Sequence, residues 1–349
     1  MHHSNNIGLI RLAFASLVVI AHAYVLTGIA MQEPLAVYTE TFTLGSLGVD
    51  GFFLISGYLI TQSMIGSRSQ GEYLLKRMLR IYPAFMIAYV IGGLVAGWIR
   101  PGYPIELWRA LFLFHPVDIP ASPGGEGFTA NSPMWTIAYE FRCYLFVILL
   151  AAIGTLTDRK RVLILAIMFW CLYVGIKIPE LWSIRAYKAP LPVDILIGNM
   201  LPTLRFLSVF SVGMVAYLYR EVILPRLNGW VALSSLVGIA ITLPDPLFGE
   251  SLFMIFAAAI IFWLAFAVDL GPLQRINDRW DISYGTYLYG WPIGNLLIWL
   301  KPDWLIGPFV LVNLIGAWLL GGASWFLLER FCNMTLLKAI MPGARHTGS

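Results

Sequence analysis

The first apolar stretch of the chain, RLAFASLVVIAHAYVLTG, carries Arg11 at its head and His22 eleven residues further on. An α-helix turns about 100° and rises about 1.5 Å per residue, so the two side chains would lie within about 20° of one face and roughly 16 Å apart. Ionisable residues inside a membrane span are costly and usually functional. A guanidinium can bind an anion, and an imidazole can take a proton or act as a nucleophile. The pair predicts a groove for a long substrate, although His22 could instead only hydrogen-bond a neighbouring carbonyl.

A carboxylate is predicted at the depth of this histidine. The segment NSPMWTIAYEFRCYLF begins with Asn-Ser-Pro at 131–133, a pattern typical of a helix start. With this start, Glu140 lies about two turns below the outer membrane surface. The same rise per residue, applied to the first apolar stretch, puts His22 about 10 Å below that surface. We therefore expect Glu140 to contact the imidazole, orient it and raise its basicity. The alternative is an ion pair between Glu140 and Arg142 or Arg205.

Three further stretches carry side chains suited to binding. In EYLLKRMLRIYPAF, Arg77 and Arg80 are three residues apart and share one helix face, which suits phosphate oxygens, although basic residues at a membrane edge often only set topology. In LGVDGFFLISGYLIT, Asp50 is a second carboxylate near the outer third of the membrane, and Ser56 is either a nucleophile or, more typically, a packing contact. The aromatic run SYGTYLYGW, with Tyr287, could line a sugar pocket or lie at the membrane interface.

A membrane-spanning scaffold is needed to hold these side chains. The 349 residues are 59% hydrophobic and 12% charged with a mean hydropathy of +0.76, whereas soluble domains carry about 25% charged residues. Apolar segments long enough to cross a bilayer recur throughout. We predict an all-α integral membrane protein with about ten transmembrane helices. The segments are 8–30, 42–64, 82–99, 135–156, 162–178, 200–220, 229–244, 251–269, 282–300 and 305–328.

The basic residues predict the orientation of the chain. With the N-terminus in the cytoplasm, fifteen of the 23 Lys and Arg residues fall on the cytoplasmic side and seven on the other, so both termini are predicted to be cytoplasmic. Residues 1–340 are expected to form one membrane domain, and 341–349 a short cytoplasmic tail. The net charge of +4 gives no reason to expect nucleic acid, and the three cysteines lack metal-ligand spacing, so no metal is predicted. No cleavable signal peptide is predicted either.

Several motifs occur in a characteristic order. The chain opens with Arg, ten residues and His, and continues with GVDGFFLISGY, RMLRIYP and WTIAYE; ISYGTYLYGWPI and SWFLLERF stand near its end. In this order and spacing the motifs resemble the membrane acyltransferase-3 family, whose members O-acylate sugars of the cell envelope. The resemblance covers nearly the whole chain. One departure is Gly290, where many relatives have a histidine.

The resemblance implies a multi-pass protein of the bacterial inner membrane that moves an acyl group, usually from cytoplasmic acetyl-CoA, to a hydroxyl of a glycan or lipid-linked saccharide. It implies that His22 is catalytic, as general base or acyl-carrying nucleophile, with Glu140 supporting it. Polysaccharide-assembly proteins are expected as further partners. The donor is expected to bind Arg11, Arg77 and Arg80, and the substrate-binding residues are expected to be Asp50, Ser56, Tyr82, Trp135, Arg205 and Tyr287. The alternative function is a transporter or flippase for envelope saccharides, with the buried charged residues as a relay.

Overall fold

The computed structural model describes residues 5–40, 42–120, 127–178, 197–278 and 280–329. In these ranges the chain is mainly helical, with one short antiparallel hairpin of β1 (Asp118–Ile119) and β2 (Phe128–Thr129). The α-helices are α1 (Ile7–Leu26), α2 (Pro34–Thr39), α3 (Leu44–Ile65), α4 (Gln70–Ile99), α5 (Leu107–Leu111), α6 (Trp135–Ala152), α7 (Arg159–Ile176), α8 (Met200–Leu218), α9 (Arg220–Ile223), α10 (Gly229–Thr242), α11 (Gly249–Phe266), α12 (Ser283–Leu300) and α13 (Ile306–Ser324). The predicted tail, 341–349, lies outside the described residues.

The membrane-spanning helices are fewer than the predicted segments. Each of the ten segments coincides with a helix, but only seven helices of the described ranges are long and apolar enough to cross a membrane: α1, α3, α4, α6, α8, α11 and α13. An eighth span results if Arg220–Arg226 and Gly229–Thr242, which are bent by 89°, count as one. Helix α7 falls short because it begins with three basic residues, and α12 because its first half is polar and aromatic. The fold is all-α, whereas the count of ten and the cytoplasmic termini stay predictions.

Helix α3 lies at the centre of the helices that carry the predicted site residues, packed between α1 and α8 and beside α6. Its contact with α8 depends on two glycines. A Cβ atom on Gly57 would lie 2.0 Å from the carbonyl oxygen of Phe210, and one on Gly213 would lie 2.1 Å from that of Leu54. The two backbones therefore touch, as small residues allow in membrane helices.

Helix α12 is fastened to the segment that leads into α6. Pro292, inside α12, has no N–H to donate to the carbonyl of Leu288 four residues earlier. Asn131 Nδ2 donates to that carbonyl at 2.9 Å. Trp291 Nε1 and Asn295 Nδ2 both donate to the carbonyl of Thr129, at 2.8 and 2.9 Å. Three hydrogen bonds therefore hold this segment to one face of α12.

This arrangement corrects part of the predicted start of α6. A 3-10 turn, Ser132–Met134, precedes the helix and has a proline in its first positions, as the sequence indicated. The side chain of Asn131, however, makes no capping hydrogen bond. Its Nδ2 donates to the carbonyl that Pro292 leaves free, which fixes the orientation of the amide, and its Oδ1 is buried without a hydrogen-bond partner.

Candidate active site

A cavity of about 770 Å³ lies between α1, α3, α4, α6 and α12. We call it the arginine cavity, because three of the four Arg, Lys, Asp or Glu side chains that line it are guanidinium groups. Arg11 comes from α1, whereas Arg77 and Arg80 come from one face of α4, as their spacing predicted. The fourth is Glu140 of α6, and Ser56 and Tyr287 also line the cavity.

Two of the three arginines share a carboxylate that the sequence analysis missed. Arg11 Nη1 and Arg80 Nη2 both donate to Oδ2 of Asp281, which lies just before α12. Burial opposes ionisation of Asp281, but the two guanidinium groups and hydrogen bonds from Ser283 and Asn277 hold its pKa well below the usual range. Asp281 is therefore an ionised link between α1, α4 and the start of α12.

Arg77 is held differently. Its Nη2 lies 3.4 Å from Ser63 Oγ, and its guanidinium lies 6.0 Å from the centre of the Tyr73 ring. Its Nε is buried without a hydrogen-bond partner, and no carboxylate of the described ranges forms an ion pair with it. A buried N–H of this kind is costly unless something accepts its hydrogen. An anion in the arginine cavity could satisfy it.

Glu140 lies in the arginine cavity and not beside His22. Its Oε1 accepts hydrogen bonds from Ser56 Oγ at 3.0 Å and from Tyr144 Oη at 2.6 Å. Within the described chain no hydrogen bond joins it to His22, and no ion pair joins it to Arg142 or Arg205, so the expected contact with the imidazole is wrong. Helix arithmetic gives the depth of a residue but not the side of the bundle that it faces.

His22 lines a second cavity, of about 720 Å³, between α1, α3, α6, α8 and α12. We call this the histidine cavity; Trp135 and Arg205 also line it. The imidazole packs edge-to-face against Trp291, with 5.0 Å between the ring centres. The carboxylate that lines this cavity is Glu33, whose two oxygens accept the backbone N–H groups of Ala36 at 2.7 Å and Leu44 at 3.1 Å.

Glu33 was missed because it stands between predicted spans, where an acid usually faces water. The signal was the Glu-Pro pair at a helix start, since Glu33 caps α2 and Pro34 is its first residue. Both carboxylate oxygens already accept backbone hydrogen bonds. Glu33 therefore links the start of α2 to the start of α3 beside the histidine cavity.

The two cavities adjoin. Three residues line both of them, Val49 of α3, Thr136 of α6 and Tyr287 of α12, and we call these three the partition. Tyr287 Oη lies 2.5 Å from Thr136 Oγ1 and donates to the carbonyl of Pro133 at 2.8 Å. The side chains that could bind an anion and the imidazole that could do chemistry are thus on opposite sides of a wall of three residues.

Comparison with known proteins assigns a chemistry to this arrangement. A family model described as an acyltransferase domain matches residues 4–328. The chain belongs to the acyltransferase-3 family. It is 26% identical over 363 residues to nodulation protein 10 of Rhizobium leguminosarum bv. viciae, covering 94% of this chain and 93% of the relative. It is also 26% identical over 343 residues to an O-acetyl transferase of Shigella phage Sf6, covering 95% and 96%. No solved structure matches it.

The protein is thus a membrane acyltransferase, and its family gives the transporter alternative no support. Two residues predicted to bind substrate are not among those that line the two cavities. Asp50 is 1% exposed and lies behind the histidine cavity, where its Oδ1 is 3.0 Å from Arg205 Nε. The same Nε lies 3.0 Å from Oε1 of Glu250. Tyr82 donates to the carbonyl of Leu111 at 3.0 Å. The substrate roles of Asp50 and Tyr82 stay predictions.

The acyltransferase has a third cavity, of about 1020 Å³, which we call the loop cavity. Trp108 and Phe114 line it, and Arg109 packs over both rings at 5.7 and 5.9 Å from their centres. Trp135 lines the loop cavity and the histidine cavity, so the two adjoin at this side chain. An aromatic surface therefore continues from the loop cavity to the cavity of His22.

The departure at position 290 has a steric basis in this acyltransferase. A Cβ atom on Gly290 would lie 2.6 Å from Cγ2 of Val19, because α12 packs tightly on α1 there. A larger side chain at this position would require the Val19 side chain or α1 to move. No group of three His, Cys, Asp or Glu that could hold a metal ion occurs in the parts of the chain that the structure describes.

Proposed function

We propose that the protein transfers an acetyl group from acetyl-CoA, bound in the arginine cavity, to a hydroxyl of an envelope glycan or lipid-linked saccharide that reaches the histidine cavity. One observation carries the proposal: Arg11 and His22, on one face of α1, line two adjoining cavities that share only three of their lining residues. The relative from phage Sf6, named an O-acetyl transferase, supports acetyl as the group. The proposed location is the bacterial inner membrane.

The donor site follows from charge and length. Guanidinium groups suit phosphate oxygens, and Arg77 offers a buried N–H without an acceptor. Arg11 and His22 are eleven residues apart on α1, or roughly 16 Å along its axis. An elongated donor with phosphates at one end and a thioester at the other fits this separation. The phosphates of coenzyme A would bind the arginines and the acyl end would point to His22.

The transfer itself can follow two routes. In the first, His22 takes the proton of the acceptor hydroxyl while the oxygen attacks the thioester carbonyl; the C–S bond breaks, and the imidazolium returns the proton to the departing thiolate. In the second, an imidazole nitrogen attacks the carbonyl first, the C–S bond breaks, and the N–H proton of the ring goes to the departing thiolate. The acceptor hydroxyl then attacks the acyl-imidazole, its proton going to the ring nitrogen that is released. Both routes make His22 the group that contacts the reacting atoms.

The acceptor would enter from the loop cavity. Binding sites for small ligands are commonly concave and lined by aromatic side chains with a few polar groups, as this cavity is. Trp108 and Phe114 offer ring faces on which a sugar can lie, and Trp135 continues that surface to the histidine cavity. Arg205 there provides donors for sugar hydroxyls.

The experiment measures transfer of radiolabelled acetyl from acetyl-CoA to the envelope saccharide fraction, in membranes that contain the wild type or His22→Ala. The matched control is Ser16→Ala, also on α1, whose Oγ donates to the carbonyl of Leu12 and which lines none of the three cavities. We expect His22→Ala to lose about 10²-fold or more and Ser16→Ala to keep its activity, with equal membrane insertion. Transfer by His22→Ala at the wild-type rate would refute the assignment.

The two routes are separated by a second measurement. Wild-type protein and His22→Ala are each mixed with acetyl-CoA in the absence of acceptor, and the released thiol of coenzyme A is followed with a thiol-reactive chromophore. A burst of thiol release of about one equivalent that depends on His22 supports the carrier route, and no burst supports the general-base route.

A further inference from the structure

The partition is formed by one side chain from each of three helices, and two of them bond to each other. Tyr287 Oη and Thr136 Oγ1 are 2.5 Å apart, and both hydroxyls lie within hydrogen-bond distance of the carbonyl of Pro133, at 2.8 and 3.2 Å. Tyr287 is 5% exposed and Thr136 is 4% exposed. Val49 completes the wall from α3. The wall is therefore closed by neutral hydrogen bonds and by one aromatic ring.

The ring of Tyr287 is the largest side chain of the wall and is held by neutral contacts. Its neighbour on the arginine side is Phe52, edge-to-face at 6.0 Å between the ring centres. None of its hydrogen bonds involves an ionised group, so none has the strength of a charge-assisted bond. Thr136 and Val49 are β-branched and have restricted side chains. Movement of the phenol ring would widen the connection between the cavities, while the other two side chains would keep its other edges in place.

We propose that Tyr287 determines the length of the acyl group that the enzyme transfers. The inference rests on the proposed function, in which the donor binds in the arginine cavity and its acyl end reaches His22 across the partition. An acetyl group has one methyl beyond the carbonyl. With the carbonyl at His22, each further methylene needs room beside it in the histidine cavity, which Tyr287, Thr136 and Val49 also line. Tyr287 is accordingly a specificity-determining residue, and it takes no part in the chemical step.

The test compares acyl donors of different length. Membranes containing each variant receive acetyl-CoA or hexanoyl-CoA labelled in the acyl group, and the ratio of hexanoyl to acetyl transfer is measured on the envelope saccharide fraction. One methylene in a fitted pocket changes a rate about tenfold or more. We expect Tyr287→Ala to raise the ratio at least tenfold. Tyr287→Phe, which keeps the ring, should keep the ratio within about threefold of wild type.

Val49 provides an independent test from another helix. Val49→Ala should raise the hexanoyl-to-acetyl ratio, because it enlarges the space beside Tyr287 and Thr136. Val49→Leu should lower the ratio, because it reduces the same space. The matched control is Tyr289→Ala: Tyr289 is also a buried tyrosine of α12, but its Oη bonds Ser324 Oγ at 3.2 Å and it lines neither cavity. Thermal unfolding in detergent identifies any variant that fails to fold, and the Val49 pair then carries the test.

The outcomes separate this proposal from the one on which it rests. Unchanged ratios in folded Tyr287→Ala and Val49→Ala, with wild-type transfer still dependent on His22, would overturn the role of the partition alone. An equal rise of the ratio in Tyr289→Ala would also overturn it, since any loosening of α12 would then suffice. Loss of the dependence on His22 would instead overturn the proposed function.

Discussion

Replacing Asp281 by asparagine should destabilise the protein more than the loss of an ordinary surface carboxylate. Asp281 is the shared acceptor of Arg11 and Arg80, and the side chains of all three are less than a quarter exposed. Exposed ion pairs contribute about 0–1 kcal/mol, whereas removing one partner of a buried pair costs about 3–5 kcal/mol, because the remaining buried charge loses that partner and water does not replace it. For this partly buried arrangement we expect a loss of about 3 kcal/mol in the free energy of unfolding.

The pH dependence of this loss gives a sharper test. The two guanidinium groups hold the pKa of Asp281 below its unfolded value, which is about 4. A group with a lowered folded pKa stabilises the protein fully above its unfolded pKa, and this contribution disappears as the pH falls through the folded pKa. The difference between wild type and Asp281→Asn should therefore be constant from about pH 8 to pH 5 and decrease below about pH 4.

The assay is thermal or denaturant unfolding of both proteins in the same detergent at a series of pH values. The matched control is Asp245→Asn, since Asp245 is exposed and its carboxylate accepts only backbone N–H groups in its own turn. A difference of less than about 1 kcal/mol between the unfolding free energies of wild type and Asp281→Asn at pH 7 would refute the reasoning. The ion pairs of Asp281 would then contribute no more to stability than exposed ion pairs do. A difference that grew on acidification would refute the assigned direction of the pKa shift.

Two further predictions concern single hydrogen-bonding groups. Arg77→Gln should raise the KM for acetyl-CoA by about 10–100-fold, the factor that corresponds to the free energy of hydrogen bonds to a charged group. Little stability should be lost, because no described carboxylate pairs with Arg77. An unchanged KM in steady-state kinetics would contradict this prediction. Asn131→Ala should lower the free energy of unfolding by about 1–3 kcal/mol, because the buried carbonyl of Leu288 loses its donor. In a Pro292→Ala background the same change should cost less, since residue 292 then has an N–H for that carbonyl, and equal losses in thermal unfolding would count against the explanation.

The sequence predicted the elements well and the contacts between them only in part. Apolar length and periodicity predicted a helix for each of the ten segments, and the spacing of Arg77 and Arg80 correctly predicted that they share a face. The expected contact of Glu140 with His22 failed because depth along a helix does not give its rotation or its neighbour. Asp281 was missed because it lies one residue before the predicted segment 282–300, where an acid has no evident partner in sequence.

Helix α12 connects the access route to the environment of the imidazole. One face of this helix carries a functional side chain at every fourth residue: Tyr287, Trp291 and Asn295. Tyr287 is part of the partition, Trp291 packs against His22, and Asn295 donates to the carbonyl of Thr129. The amide of Asn131 holds this face to the same segment through the carbonyl that Pro292 leaves free. A shift of α12 as one body would therefore move Tyr287 and, at the same time, change the contact between Trp291 and His22. A rigid-body displacement of α12 would thus couple admission of the acyl group to a change in the surroundings of the imidazole. Rotation of the Tyr287 side chain alone would leave His22 undisturbed.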